Sequence, residues 1–136
     1  MVDTTGPDAG LSRVALDTSA LMTPVQHDVR LFEELDRLLG EYVLVVPHAV
    51  CAELDRLATG AKKEATAARV GRDLAERCRA VETEASRADD ALVELARTGQ
   101  VEYVVTNDRP LGDRVRSTGA GVIGLRGRNK LERTQP

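Results

Sequence analysis

Val101-Glu-Tyr-Val-Val-Thr106, with Asn107-Asp108 directly after it, is the stretch on which the fold of this chain turns. A short β-branched run of this kind builds a strand, and this one delivers an acid just past its carboxyl end. The pattern recurs near the start of the chain, where Arg13-Val-Ala-Leu16 runs straight into Asp17. Tyr42-Val-Leu-Val-Val46, stopped by Pro47, and Gly121-Val-Ile-Gly-Leu125 predict two more strands, and Ala80-Val-Glu-Thr83 a short fifth. Between them the apolar spacing becomes helical. Residues 28–39 place Val29, Phe32, Leu35, Leu38 and Leu39 on one face before Gly40, a natural helix end. Pro47 suits the first turn of a helix carrying Val50, Leu54 and Leu57 and closed by Thr59-Gly60. Residues 62–80 predict a long helix with an Ala67, Val70, Leu74, Ala75 and Cys78 stripe. Ser86-Arg-Ala-Asp89 has the form of a capping box opening a helix through Arg97, and residues 111–117 form another. The tail after Arg126 is polar and predicts irregular chain. Alternating helices and apolar strands imply a parallel sheet covered on both faces, whose sites form at the carboxyl ends of its strands.

Composition narrows the function classes. The 136 residues fit one domain with a real core, and the 42% apolar content is mainly Ala, Val and Leu. Two Tyr, one Phe and no Trp exclude a base-stacking platform of interleaved aromatics. No run approaches the roughly 20 apolar residues of a membrane span. Met1 to Gly10 has neither a basic region nor an apolar run, so it reads as a loose leader rather than a signal peptide. The expected organisation is a flexible leader at 1–11, a domain at 12–130 and a tail at 131–136. Cys51 and Cys78 form no CxxC pair and read as buried reduced thiols, the expectation for a cytoplasmic protein. The net charge of −3 hides an asymmetry: residues 1–108 carry 12 Lys/Arg against 20 Asp/Glu, residues 109–136 carry 7 against 2. An acidic body with a basic end suits a cation-filled pocket beside a polyanion-binding rim, although a solvated charged surface gives the same count.

Asp17 and Asp108 both follow strands, so both belong to one edge of the sheet. Glu53 lies early on the helix after Pro47, and Asp89 and Asp90 open the helix that precedes 101–106. Each has an ordinary explanation. Asp17 and Asp108 are placed to cap the turns that follow them, Glu53 to face solvent, and Asp89 to complete the capping box. As a set they point to chemistry. Converging carboxylates raise one another's pKa unless a cation neutralises them, and hard divalent ions prefer such oxygens. A cation so held activates water and neutralises a phosphodiester in flight, with no nucleophilic Ser, Cys or His required. His27 and His48 have no ligand-spaced partner.

The order Leu16-Asp17-Thr18-Ser19, Val46-Pro47 with Glu53 beyond, Ala88-Asp89-Asp90-Ala91 and Thr106-Asn107-Asp108 resembles the PIN-domain ribonucleases. Asp90 and Asp108 stand 18 residues apart, as is usual in that family. The resemblance spans about residues 12–130. It implies a three-layer α/β/α sandwich with a central, mainly parallel sheet of about 4–5 strands. It further implies an endoribonuclease using one or two Mg²⁺ or Mn²⁺ ions on RNA, with Asp17, Glu53, Asp90 and Asp108 in the metal roles. Asp89 is an added ligand or a cap. Ser19, Thr106 and Asn107 would steady the carboxylates.

Leu31-Phe-Glu-Glu-Leu-Asp36, Ala52-Glu-Leu-Asp-Arg56 and Ala88-Asp-Asp-Ala91 resemble the archaeal ribosomal-RNA-processing branch. VapC-type toxins share the acids, so an antitoxin or a ribosomal precursor particle is an expected partner, as is a second copy in a homodimer. Arg109, Arg114, Arg116, Arg126, Arg128 and Lys130 are candidates for the RNA backbone, with Lys62, Lys63, Arg69 and Arg72 a second track. A catalytically silent PIN-fold module binding RNA or protein is the rival reading. A dehalogenase-type hydrolase would need Asp where Ser19 stands, and a receiver domain would need a phosphoacceptor Asp where Pro47 follows the strand.

Overall fold

The computed structural model describes residues 10–136, so the leader expected at 1–11 falls almost wholly outside the described residues. The described residues form six strands and six helices: β1 (Ser12–Leu16), α1 (Thr18–Gln26), α2 (Leu31–Leu39), β2 (Tyr42–Pro47), α3 (His48–Leu57), α4 (Lys63–Ala75), β3 (Arg79–Val81), α5 (Ala88–Arg97), β4 (Tyr103–Val105), α6 (Arg109–Arg116), β5 (Gly121–Arg126) and β6 (Lys130–Thr134). Among the described residues, no helix is long and apolar enough to cross a membrane.

The strands form one sheet in the order β3-β2-β1-β4-β5-β6, parallel except for β6. Val14, Ala15 and Leu16 are fully buried, which is why β1 reads as a continuous apolar run rather than an alternating one. From β1 the chain steps outward to β2 and β3, then returns to the other side of β1 with β4 and β5. Right-handed crossovers therefore put α1 to α4 on one face and α5 and α6 on the other. Within these layers α4 packs on α1 and α3, and α5 on α6. The strand order reverses between β1 and β4, and their carboxyl ends open a crevice there.

Three features depart from expectation. The first is β6. The segment expected to be irregular after Arg126 turns at Gly127 (φ 64°) and pairs antiparallel with β5, Leu125 opposite Leu131. Only Leu131 of β6 is buried, so the strand carries almost no hydrophobic signal. Leu131 N donates to Glu34 Oε1 (2.9 Å) and Leu131 O accepts from Arg37 Nη2 (2.7 Å), which ties this edge to α2.

The second is α1, which Pro24 hides from a periodicity reading. Proline cannot donate to the carbonyl of Ala20, and Thr23 Oγ1 donates to it instead at 2.6 Å. The third is the extent of the helix expected at 62–80. It ends at Ala75, and β3 begins at Arg79. Its buried stripe is Ala65, Ala67, Ala68, Gly71 and Ala75, while Val70 and Leu74 are half-buried.

Candidate active site at the reversal point of the sheet

Leu16 ends β1, and Asp17 N donates to Val105 O (3.0 Å), which locks the ends of β1 and β4 together. Asp17 is extended (φ −81°, ψ 163°) and caps α1, yet it is only 4% exposed. Its Oδ1 accepts from Thr18 N (2.7 Å), and its Oδ2 from Ser19 Oγ (3.1 Å) and Thr106 Oγ1 (2.7 Å). Three donors thus fix the carboxylate in orientation. The same groups bind the neighbouring segments. Thr106 Oγ1 accepts from Asp108 N (3.1 Å), Ser19 Oγ accepts from Asn107 N (3.1 Å), and Asn107 Oδ1 accepts from Leu125 N (3.0 Å). Ser19, Thr106 and Asn107 form a hydrogen-bonded lattice joining the ends of β1, β4 and β5. Asp108 caps α6 through Leu111 N (3.0 Å) and is exposed.

Asp89 joins the acids. The capping box expected at 86–89 does not form: α5 starts after Arg87, with no side-chain cap. Asp89, half-buried, is instead close enough to Asp108, Glu53, Asp90 and Asp17 to feel their charge. Its pKa is raised first by burial, then by repulsion from Asp108 and Glu53, with Arg114 opposing. Asp17 is raised as well. Burial dominates, the three hydrogen bonds resist it, and Asp89 adds to it. Asp17, Glu53, Asp89 and Asp108 stand after β1, on α3, on α5 and at the β4–α6 junction, with Asp89 in electrostatic range of the other three. Asp90 differs: its Oδ1 pairs with Arg114 Nη2 at 2.9 Å, a contact that adjacency in sequence gave no means of separating from the role of Asp89.

Among the described residues, no three acidic, histidine or cysteine side chains are gathered tightly enough to ligate one ion by themselves. The donors are all carboxylate and hydroxyl oxygens. Such a set fits Mg²⁺ or Mn²⁺, which keep several waters and take few carboxylates directly, and it is unsuited to softer ions. His27 and His48 are exposed and stand outside the acids. Cys51 and Cys78 are free and half-buried, and burial pushes the Cys78 thiol up to about 11.

The basic candidates divide by their contacts. Arg109 and Arg128 are exposed; Arg116 pairs with Asp113 (3.0 Å), Arg126 loosely with Glu132 (3.9 Å) and Lys130 with Glu34 (3.8 Å). On the second track Arg69 ties down the carbonyls of Ala58 and Gly60, and Arg72 pairs with Asp55 and Glu76. Arg69 and Arg72 are engaged in holding α4, while Lys62 and Lys63 are exposed.

The structure is similar to that described as "Structure of the PIN domain endonuclease Utp24", with 26% identity, 90% of this chain and 92% of that one covered, and a TM-score of 0.72. It is also similar to a domain of a functionally unknown protein from Methanocaldococcus jannaschii DSM 2661, at 14% identity, 85% and 92% coverage and a TM-score of 0.61; this second likeness concerns the fold alone. No curated protein sequence matches the chain. Residues 14–128 match the family described as "PIN like domain". With that match spanning nearly all of the described residues, the chain belongs to the PIN-like domain family.

Proposed function

We propose that the chain is a divalent-metal-dependent endoribonuclease acting on single-stranded RNA, with ribosomal precursor RNA as its substrate class. The observation that carries the reading is the buried Asp17 carboxylate at the carboxyl edge of the sheet, held by Thr18 N, Ser19 Oγ and a Thr106 Oγ1 that also binds Asp108 N, with Asp89 in electrostatic range of Glu53 and Asp108. The likeness to a PIN domain endonuclease supports it.

In this reading Asp17, Asp89 and Asp108 hold the ion directly or through water, and Glu53 holds water or a second ion. Bound there, Mg²⁺ or Mn²⁺ supplies Lewis acidity for activating water and offsetting phosphate charge. The protein's own part is positioning. Thr18 N, Ser19 Oγ and Thr106 Oγ1 fix Asp17, and Leu111 N fixes Asp108. Asp90 holds Arg114 beside the acids, where the guanidinium can receive a phosphate of the strand. Arg109, Arg126, Arg128 and Lys130 extend a basic rim past the crevice. The expected products carry a 5′-phosphate and a 3′-hydroxyl.

The test is cleavage of single-stranded RNA with Mn²⁺ by the parent and by Asp17→Asn, Asp89→Asn, Asp90→Asn and Asp108→Asn. The first, second and fourth should lose at least about 10²-fold, whereas Asp90→Asn should act chiefly on RNA affinity. Folded Asp17→Asn and Asp108→Asn proteins cutting at the parental rate would refute the mechanism.

A further inference from the structure

A cavity of about 380 Å³ lies between α6 and the β5–β6 hairpin, and Thr106, Asn107 and Asp108 form one of its walls. It therefore adjoins the acids without containing Asp17, Glu53 or Asp89. Its size is in the range of small-ligand sites. Two glycines line it. A Cβ at Gly112 would come within 3.6 Å of the Arg116 guanidinium and 3.7 Å of Val122, and one at Gly124 within 3.0 Å of Thr106 O. Both are glycines inside regular elements, one in a helix and one in a strand, where they weaken the element and so mark a close approach or an opening.

The wall chemistry indicates the occupant. Arg116 is held from two sides, Nε donating to Thr134 Oγ1 (3.0 Å) and Nη1 to Asp113 Oδ1 (3.0 Å), so its guanidinium plane is fixed. Facing the same space is Glu132, an exposed carboxylate whose ion pair with Arg126 is long at 3.9 Å. With Oδ1 engaged by Leu125 N, Asn107 offers its amide NH₂ to a ligand. A pocket meant for phosphate would not carry a carboxylate on its wall. A nucleobase suits both charges: its face stacks on a guanidinium plane and its edge donates N–H to a carboxylate. Among the four RNA bases, guanine alone presents two adjacent N–H donors, N1–H and N2–H, to a carboxylate.

We propose that this cavity receives one unpaired nucleotide of the substrate strand, next to the phosphate cut at the acids, with guanine preferred through Glu132. The inference rests on the nuclease reading and deepens it by assigning a base preference. The chamber opens beside Asp108, so a strand with its phosphate at the acids has its neighbouring base at the entrance.

Two measurements separate this inference from the reading beneath it. In the first, single-stranded RNAs differing in one base beside the cleaved bond are cut with Mn²⁺ by the parent, Glu132→Gln and Gly112→Leu. The parent should favour guanine by about tenfold, and Glu132→Gln should reduce that to within about twofold. Gly112→Leu, which plugs the chamber, should weaken RNA binding. Mn²⁺ affinity, read by calorimetry, should be unchanged in both variants, so a folding defect would be visible. In the second, 5′-GMP, AMP, CMP and UMP are titrated into metal-free protein while the amide resonances of Gly112 and Gly124 are followed. GMP should shift both in the parent and leave Gly124 unshifted in Gly112→Leu. Cleavage without base preference, together with no GMP-induced shift, overturns the pocket and leaves the nuclease standing. GMP binding at the chamber with no cleavage of any RNA sinks the nuclease reading and supports the chamber as a nucleotide site.

Discussion

At 4% exposure, the Asp17 carboxylate has been taken out of water with three hydrogen-bond donors around it and, among the described residues, no cation paired to it. Burial consequently raises its pKa above the ordinary 3.8. A carboxyl whose folded pKa exceeds its unfolded value supports the fold fully below about pH 3.8, and that support is lost as pH rises through the folded value. At neutral pH the ionised group therefore strains the metal-free protein. Asp17→Asn should melt higher than the parent in chelator at pH 7, by about 3–6 °C for a gain of roughly 1 kcal/mol, while losing cleavage. Scanning calorimetry reads the first effect, and a lower melting temperature would show that the hydrogen bonds outweigh the buried charge. Thr106→Val removes the donor to Asp17 and the acceptor for Asp108 N at once. It should weaken Mn²⁺ binding by about 10–100-fold in a folded protein, and unchanged titration heats would count against the lattice. Asp17 and Asp108 were legible in sequence because a strand followed by an acid fixes both height and edge. Asp89 and Asp90 were not. Neighbouring helix positions point roughly 100° apart, and the rotation of α5 is set by the burial of Ala88, Ala91, Leu92 and Leu95.

Helix α4 lies against α1 through alanines and a glycine, which lets the two backbones approach closely. A Cβ at Gly71 would fall 2.9 Å from Leu21 O and 3.2 Å from Leu21 C, both main-chain atoms that cannot swing away. Gly71→Ala should accordingly destabilise the domain by about 1–3 kcal/mol, despite the better helix propensity of alanine. Urea unfolding would measure it, and a stabilised variant would mean that α1 and α4 slide apart freely. The elements that sequence disclosed were those with a readable period or capping signal: β1 to β5 and α2 to α6. Those it hid each broke a rule for a local reason. Pro24 interrupts α1 but Thr23 relieves the orphaned carbonyl, and β6 buries a single apolar residue. Helix α4 was disclosed, and only its end at Ala75 and the small residues of its buried stripe differ from the expectation over 62–80.

Across the whole molecule, a mainly parallel sheet covered by helices on both faces was inferable from alternation alone, whereas the sixth strand and its tie to α2 depend on polar contacts that no periodicity reports. Glu34 makes that tie. The Arg37 hydrogen bonds, Leu131 N and Lys130 hold its carboxyl down at about 2, against an ordinary 4.5. Its folded pKa lies below the unfolded one, so its contribution is complete above about pH 4.5 and disappears as pH falls toward 2. Glu34→Gln should cost roughly 1–3 kcal/mol at pH 7 and flatten the loss of stability between those two pH values. Matching acid-unfolding profiles for variant and parent would disprove the linkage. The pairing of Leu131 with α2 has a further effect on how copies of the molecule meet. Its outward N–H and C=O are already spoken for by Glu34 and Arg37, so another chain's strand arriving at this residue finds neither its donor nor its acceptor open. Shortening the chain at Arg128 would strip that seal and lay β5 bare, turning a covered rim into a seed for aggregation.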